Sequence, residues 1–222
     1  MTTKGGGSPH EPERPQALPP KAASADLGML VDQLVKLGLE FAAVALPAVL
    51  THAVKEDLGT LATCSWLREE QAILILGAPG VGKTHLAIAL GVRAVESGFS
   101  VAFFRLEELL HAMRKDADVP PTRLRGKKYM KAGLVIIDEV GFETFTREEA
   151  NLSSRLVIYR YQRGSLCVTS NKAIKDWPEM LAGDEVITPA ILDRLLHSCH
   201  VLNIRGRIYR LRDLEDGLNG RS

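Results

Sequence analysis

Between Ala72 and Ile204 the chain alternates short apolar runs with longer segments of mixed polarity. The runs are Ala72–Leu76, Ser100–Phe104, Leu134–Asp138, Ser165–Ser170 and His200–Ile204. At five or six residues they are too short for helices, and they are rich in Val, Ile and Leu without polar alternation, the signature of strands covered on both faces. The segments between them carry helical spacing. One starts at Thr84-His-Leu-Ala-Ile-Ala-Leu90 and stops at Gly98; others cover Leu106–Lys115, Arg147–Arg163 and Pro189–His197. Strand and helix in alternation predict a parallel central sheet with helices on both sides, a three-layer α/β domain. Pro120-Pro121 opens a further segment, 122–131, and no internal repeat is visible.

The chain ahead of this pattern has a different character. Residues 1–25, rich in Gly, Pro, Lys and Glu, have almost nothing to bury and are expected to be a disordered tail. Over 26–57 apolar residues dominate, with Leu30, Leu34, Leu37 and Phe41 at helical spacing behind a capping Asp26 and with Pro47 as a break. This predicts a small N-terminal helical appendage. A partly helical bridge over 58–70 leads into the first strand, so the core domain is expected to span 58–213, followed by a flexible tail over 214–222. The longest apolar run, Leu37–Val54, approaches a membrane span in length. It holds Glu40, Pro47 and His52 between Lys36 and Lys55, and ionisable groups inside a bilayer are costly, so a buried or partner-facing helix is expected and no membrane.

Composition adds bounds. At 222 residues and 45% hydrophobic the chain can build a real core, and its net charge of +1 means that any nucleic-acid contact must come from a local patch. Cys64, Cys167 and Cys199 are odd in number and lack metal-ligand spacing; with no signal peptide, they point to reduced thiols in a cytoplasm.

The chemistry begins at the end of the first strand. Gly77-Ala78-Pro79-Gly80-Val81-Gly82-Lys83-Thr84, followed by His85, meets the full G-x-x-x-x-G-K-[ST] pattern between a strand and a helix, as a P-loop requires. Its glycines let backbone wrap an anion, the helix start adds its positive dipole end, Lys83 would neutralise the β- and γ-phosphates of ATP, and Thr84 would offer its hydroxyl to Mg²⁺. Hydrolysis needs a metal anchor and a water activator as well. Leu134-Val-Ile-Ile-Asp138-Glu139, about fifty residues further on, is an apolar strand ending in two carboxylates: Asp138 for Mg²⁺ and Glu139 as general base. Asn171, after Val168-Thr-Ser, would orient the lytic water or touch the γ-phosphate; it also suits an ordinary turn. Arg194 is open between an arginine finger and a surface pair with Asp193. The basic run Arg123, Arg125, Lys127, Lys128 and Lys131 contains no acid and is open between a solvated face and a patch that neutralises DNA phosphates without reading bases.

The strings GAPGVGKTHLAIALG, VIIDEVGF, REEANL, RYQRGSLCVTSNK, ILDRLLHSCHV and GRIYRLRD, in that order between about Leu61 and Arg212, resemble the IstB family of transposition helper ATPases. These are AAA+ proteins related to the helicase loader DnaC and the initiator DnaA. The resemblance implies an AAA+ fold, ATP and Mg²⁺ as cofactors, ATP-dependent self-association on double-stranded DNA, and a cognate transposase as partner; a helicase loader is the alternative within the fold. It places Lys83 and Thr84 in Walker A, Asp138 and Glu139 in Walker B, Asn171 at sensor 1 and Arg194 at the finger position, with Arg210 a weaker candidate for a γ-phosphate or intersubunit contact. It implies that the basic run faces DNA from an extra helix between the second and third strands. One departure stands out: the family's longer Arg-rich linker, with an aromatic element against the base, is missing where Ala53–Asp57 passes almost directly to Leu61. Weaker adenine contact and weaker DNA affinity are the expectation, and a non-hydrolysing variant stays open. Ser153 and Ser154 also stand where bulky apolar residues are expected on a helix.

Overall fold

A computed structural model describes Leu61 and residues 63–204. The expectations for the tail, the N-terminal appendage, the apolar run at 37–54, the shortened linker, Arg210 and the C-terminal tail fall outside those residues. The elements in chain order are α1 (Ser65–Arg68), β1 (Ala72–Gly77), α2 (Lys83–Glu96), β2 (Val101–Arg105), α3 (Leu106–Lys115), α4 (Pro121–Leu124), α5 (Lys128–Lys131), β3 (Leu134–Val140), α6 (Arg147–Arg160), β4 (Ser165–Ser170), α7 (Trp177–Met180), α8 (Ile187–Leu196) and β5 (Cys199–Ile204). The strands form one parallel sheet in the order β2-β3-β4-β1-β5.

Unbroken apolar strands feed two cores because alternate residues point to opposite faces. Ile73 and Ile75 of β1 join Ile136, Cys167 and Leu202 beneath α2 and the segment around Trp66. Leu74 and Leu76 join Val135, Ile137 and Val168 beneath α3, α6 and α8. Each such side chain contributes about 1.5–3 kcal/mol on full burial, so one polar substitution on either face of β1 removes a large part of a domain's net stability. On the first face, α2 lies close to the sheet through Ala87, Ala89, Gly91 and Ala94; a Cβ on Gly91 would sit 2.8 Å from the end of Ile136. On the second, Thr146 and Glu149 form a reciprocal capping box that starts α6. Ser154 of that helix is buried at 8%.

Several expectations need correction. The edge strands are not covered on both faces: Phe103 of β2 is 42% exposed and Val201 of β5 is 38% exposed. The helix expected over 147–163 stops at Arg160, before Gln162 adopts a left-handed φ of +55°. The helix expected from Pro189 starts at Ile187, where the Asp184 carboxylate accepts from the backbone N–H groups of Val186 and Ile187, both at 2.9 Å. The basic segment forms not one extra helix but two single turns, α4 and α5. A 3₁₀ turn at Ile174–Asp176 and the short α7, which buries Trp177, have no counterpart in the hydrophobic pattern. All three cysteines are free. No helix among the described residues is long and apolar enough to cross a membrane.

Candidate nucleotide-binding site

β1 delivers the chain to the C-terminal edge of the sheet at Gly77, beside the ends of β4 and β5. A Cβ on Gly77 would lie 2.4 Å from the Ile204 carbonyl oxygen, so this glycine is required by the closeness of β5. Gly80 and Gly82 instead turn the loop through left-handed φ values of +79° and +96°. A Cβ on Gly82 would meet nothing within 4 Å, which leaves space inside the loop. Buried Val81 anchors it, Ala78 and Pro79 are exposed, and His85 is half-buried on the first turn of α2.

Lys83, only 8% exposed, donates from Nζ to the Gly77 and Ala78 carbonyls, both at 2.8 Å. A buried ammonium held by neutral carbonyls is placed to gain from an anion, because hydrogen bonds to charged acceptors are the stronger ones. One residue on, Thr84 Oγ1 lies 3.1 and 3.0 Å from the two carboxylate oxygens of Asp138, which is buried at 2%. Asp138 Oδ1 accepts a second hydrogen bond from the Thr169 hydroxyl. Glu139 adopts a left-handed φ of +66°, its N–H donates to Thr169 Oγ1 at 3.1 Å, and its Oε2 lies 3.6 Å from Arg105 Nε. Asn171 follows β4 directly. Its Oδ1 is buried with no hydrogen-bond partner among the described residues, and Gly141 packs so tightly there that a Cβ would sit 2.9 Å from that oxygen. An orphaned buried acceptor of this kind asks for an external donor, such as a water.

The structure therefore gathers Lys83, Thr84, Asp138, Glu139 and Asn171 at one edge of the sheet. The hydroxyl of Thr84 and the carboxylate of Asp138, already in contact, are the hard oxygen donors that Mg²⁺ takes in phosphate sites, so the residues present fit that ion.

Arg194 lies elsewhere. It lines a cavity of about 220 Å³ with Ala72, Arg160, Gly164 and His197, at the starts of β1 and β4, and donates to its own helix at Ala190 O, 3.1 Å away. No ion pair joins it to Asp193 among the described residues. The five steps along β1 from Ala72 to Gly77, at about 3.3 Å each, put roughly 16 Å between that edge and the loop. The basic segment sits at the same far edge, just before β3. Arg123, Arg125, Lys128 and Lys131 are exposed, whereas Lys127 is tied to Asp116 at 2.6 Å. That bond, first, and a second from Tyr129 hold the Asp116 carboxyl below its usual range despite partial burial.

Three residues escaped the sequence reading. Arg105 and Thr169 are polar groups at the ends of apolar runs, the same signal that marks Asp138. Arg160 had none: nothing in α6 tells a surface arginine from one buried at 1%, whose guanidinium donates to the Met130, Gly133 and Ser165 carbonyls at 3.2, 3.2 and 2.9 Å. Burial lowers its pKa to about 10.

Comparison with known proteins agrees with this geometry. Residues 48–216 match the family described as IstB-like ATP binding protein. An ATP-binding protein named for insertion sequence IS21 of Pseudomonas aeruginosa is 42% identical over 167 residues, covering 75% of this chain and 61% of the relative. One named for IS5376 of Geobacillus stearothermophilus is 34% identical over 169 residues, covering 76% and 65%. The chain thus spans less than two thirds of the length of these relatives. Among solved structures, the DnaC helicase loader superposes with a TM-score of 0.53 at 18% identity, covering 68% of this chain and 90% of the other. AMPPCP-bound DnaA from Aquifex aeolicus superposes with 0.52 at 19% identity, covering 73% and 50%. At such identities the likeness concerns the fold, a three-layer P-loop domain of the AAA+ type. The match over most of its length makes this chain a member of the IstB-like ATP-binding protein family.

Proposed function

We propose that this protein is an ATP-hydrolysing, DNA-binding helper that assembles on double-stranded DNA with ATP and assists a cognate transposase, in the cytoplasm. The observation that carries the ATPase reading is the contact of Thr84 with Asp138 beside a buried Lys83, with Glu139 one residue beyond. Family membership and relatives named for insertion sequences support the transposition setting.

In this reading ATP lies along the loop, and Lys83 exchanges the carbonyls of Gly77 and Ala78 for β- and γ-phosphate oxygens. Thr84 and Asp138 would hold Mg²⁺, which would supply charge neutralisation on the phosphates. Glu139 takes the proton of the attacking water once its carboxylate leaves Arg105, and Asn171 uses its orphaned oxygen to orient that water. Arg194 reaches the γ-phosphate of a neighbouring subunit, and Arg123, Arg125, Lys128 and Lys131 meet DNA phosphates.

The test compares Lys83→Ala with Glu139→Gln by nucleotide binding and phosphate release, with and without duplex DNA. Lys83→Ala is expected to lose binding. Glu139→Gln is expected to keep binding and lose at least about a hundredfold in turnover, the usual contribution of a general base. Equal hydrolysis by Glu139→Gln and the parent removes Glu139 from the mechanism; a parent that binds ATP without turnover identifies a non-hydrolysing member.

A further inference from the structure

The junction of β3 and β4 contains one residue too many. Ile137 pairs with Val168 and Val140 with Ser170, so Asp138 and Glu139 together face the single residue Thr169. Such a bulge takes a backbone amide out of the ladder, and that amide needs another acceptor. The Glu139 N–H finds it in Thr169 Oγ1 at 3.1 Å, and the same hydroxyl spends its one proton on Asp138 Oδ1. Thr169 is 1% exposed, so its hydroxyl answers to these two partners and not to bulk solvent. In a regular strand consecutive side chains point to opposite faces, and the two carboxylates would not share one site. The extra residue and the left-handed φ of Glu139 re-aim them: Asp138 meets Thr84 and Glu139 meets Arg105 at the same edge. That conformation costs a glutamate about 1–2 kcal/mol, because its Cβ crowds the following carbonyl, so a bond that fixes it has strain to offset.

We propose that Thr169 is a positioning residue for hydrolysis, its hydroxyl locking the bulge so that Asp138 is turned to Thr84 and Glu139 to the attacking water. The role in turnover rests on the reading of Glu139 as base. The hydroxyl, rather than the bulk of the side chain, carries it: valine fills nearly the same volume without a donor or acceptor, and serine keeps the hydroxyl and loses a methyl.

The experiment uses the full chain with Thr169→Val, Thr169→Ser and, if the valine variant does not fold, Thr169→Ala. Three quantities are read: KM and kcat for ATP, hydrogen exchange of the Glu139 amide in the peptide covering β3, and melting temperature. The valine variant is expected to lose about tenfold or more in kcat with a far smaller change in KM, and its Glu139 amide to exchange faster, while serine restores both. A kcat within about twofold of the parent, or serine falling as far as valine, overturns the proposal. Glu139→Gln is run alongside to separate the two readings. If it hydrolyses normally, the base assignment has failed, and the Glu139 exchange rate alone decides whether Thr169 locks the bulge: unchanged exchange in the valine variant refutes it.

Discussion

Replacing Arg194 with Ala probes how the chain divides labour between subunits. Arg194 lines the cavity at the starts of β1 and β4, the loop Gly77–Thr84 lies at their ends, and roughly 16 Å of strand separates the two. One arginine side chain does not cover that distance, so an Arg194 that stabilises charge on the γ-phosphate acts on a neighbour's nucleotide. Removing it is expected to leave ATP binding intact and lower turnover by about 10³-fold or more, the usual worth of an arginine finger. Its one hydrogen bond among the described residues, to Ala190 O, predicts little loss of stability, about 1 kcal/mol. Mixing supplies the decisive number. In an equimolar mixture of Arg194→Ala and Lys83→Ala subunits, about a quarter of head-to-tail interfaces combine an intact pocket with an intact arginine, so turnover should return to about a quarter of the parent. The assay is phosphate release at fixed total protein, with co-assembly verified by light scattering. No recovery in a mixture that demonstrably co-assembles refutes the reasoning and leaves Arg194 a structural residue.

Replacing Arg123, Arg125, Lys128 and Lys131 with Ala should weaken duplex binding equally for unrelated sequences and reduce the salt slope by about 0.9 per lost phosphate contact, whereas Lys127→Ala alone should change it little; an unchanged slope in the fourfold variant returns the segment to a solvated face. Lys127→Ala removes the principal cause of the depressed Asp116 pKa, so an NMR titration should find that pKa raised. Because the folded value lies below the unfolded one, the pair stabilises above the unfolded pKa and loses that effect as pH falls through the folded value; parent and variant should therefore converge in stability at strongly acid pH. Arg160→Met should cost about 2–4 kcal/mol, since it strips the Met130 carbonyl of its partner and weakens the ties to Gly133 and Ser165, and should lower Tm by roughly 4–16 °C by calorimetry; an unchanged Tm means that relief of the buried charge offsets all three bonds.

Much of this protein is legible in its sequence because the signals are local. The strand at Ser165–Ser170 and the helix at Leu106–Lys115 keep the bounds their apolar periodicity predicts, and the loop from Gly77 to Thr84 announces itself because glycine, lysine and threonine do their chemistry within eight consecutive residues. Asp138 and Glu139 stand out as charges ending a run that is otherwise unable to tolerate them. What the tertiary structure alone decided concerns contacts between segments distant in sequence. Nothing local places β4 between β1 and β3, yet that order brings Thr169 to Asp138 and Asn171 to Gly141. Gly77 reads as a phosphate glycine and is in fact demanded by the backbone of Ile204, more than a hundred residues later. Lys127 reads as one more basic residue until Asp116 claims it, and Arg160 as a surface charge until three carbonyls enclose it. Periodicity and motif spacing report what each segment must bury or bind; which polar atoms meet across the sheet depends on strand order and bulges, and those are settled only when the layers pack.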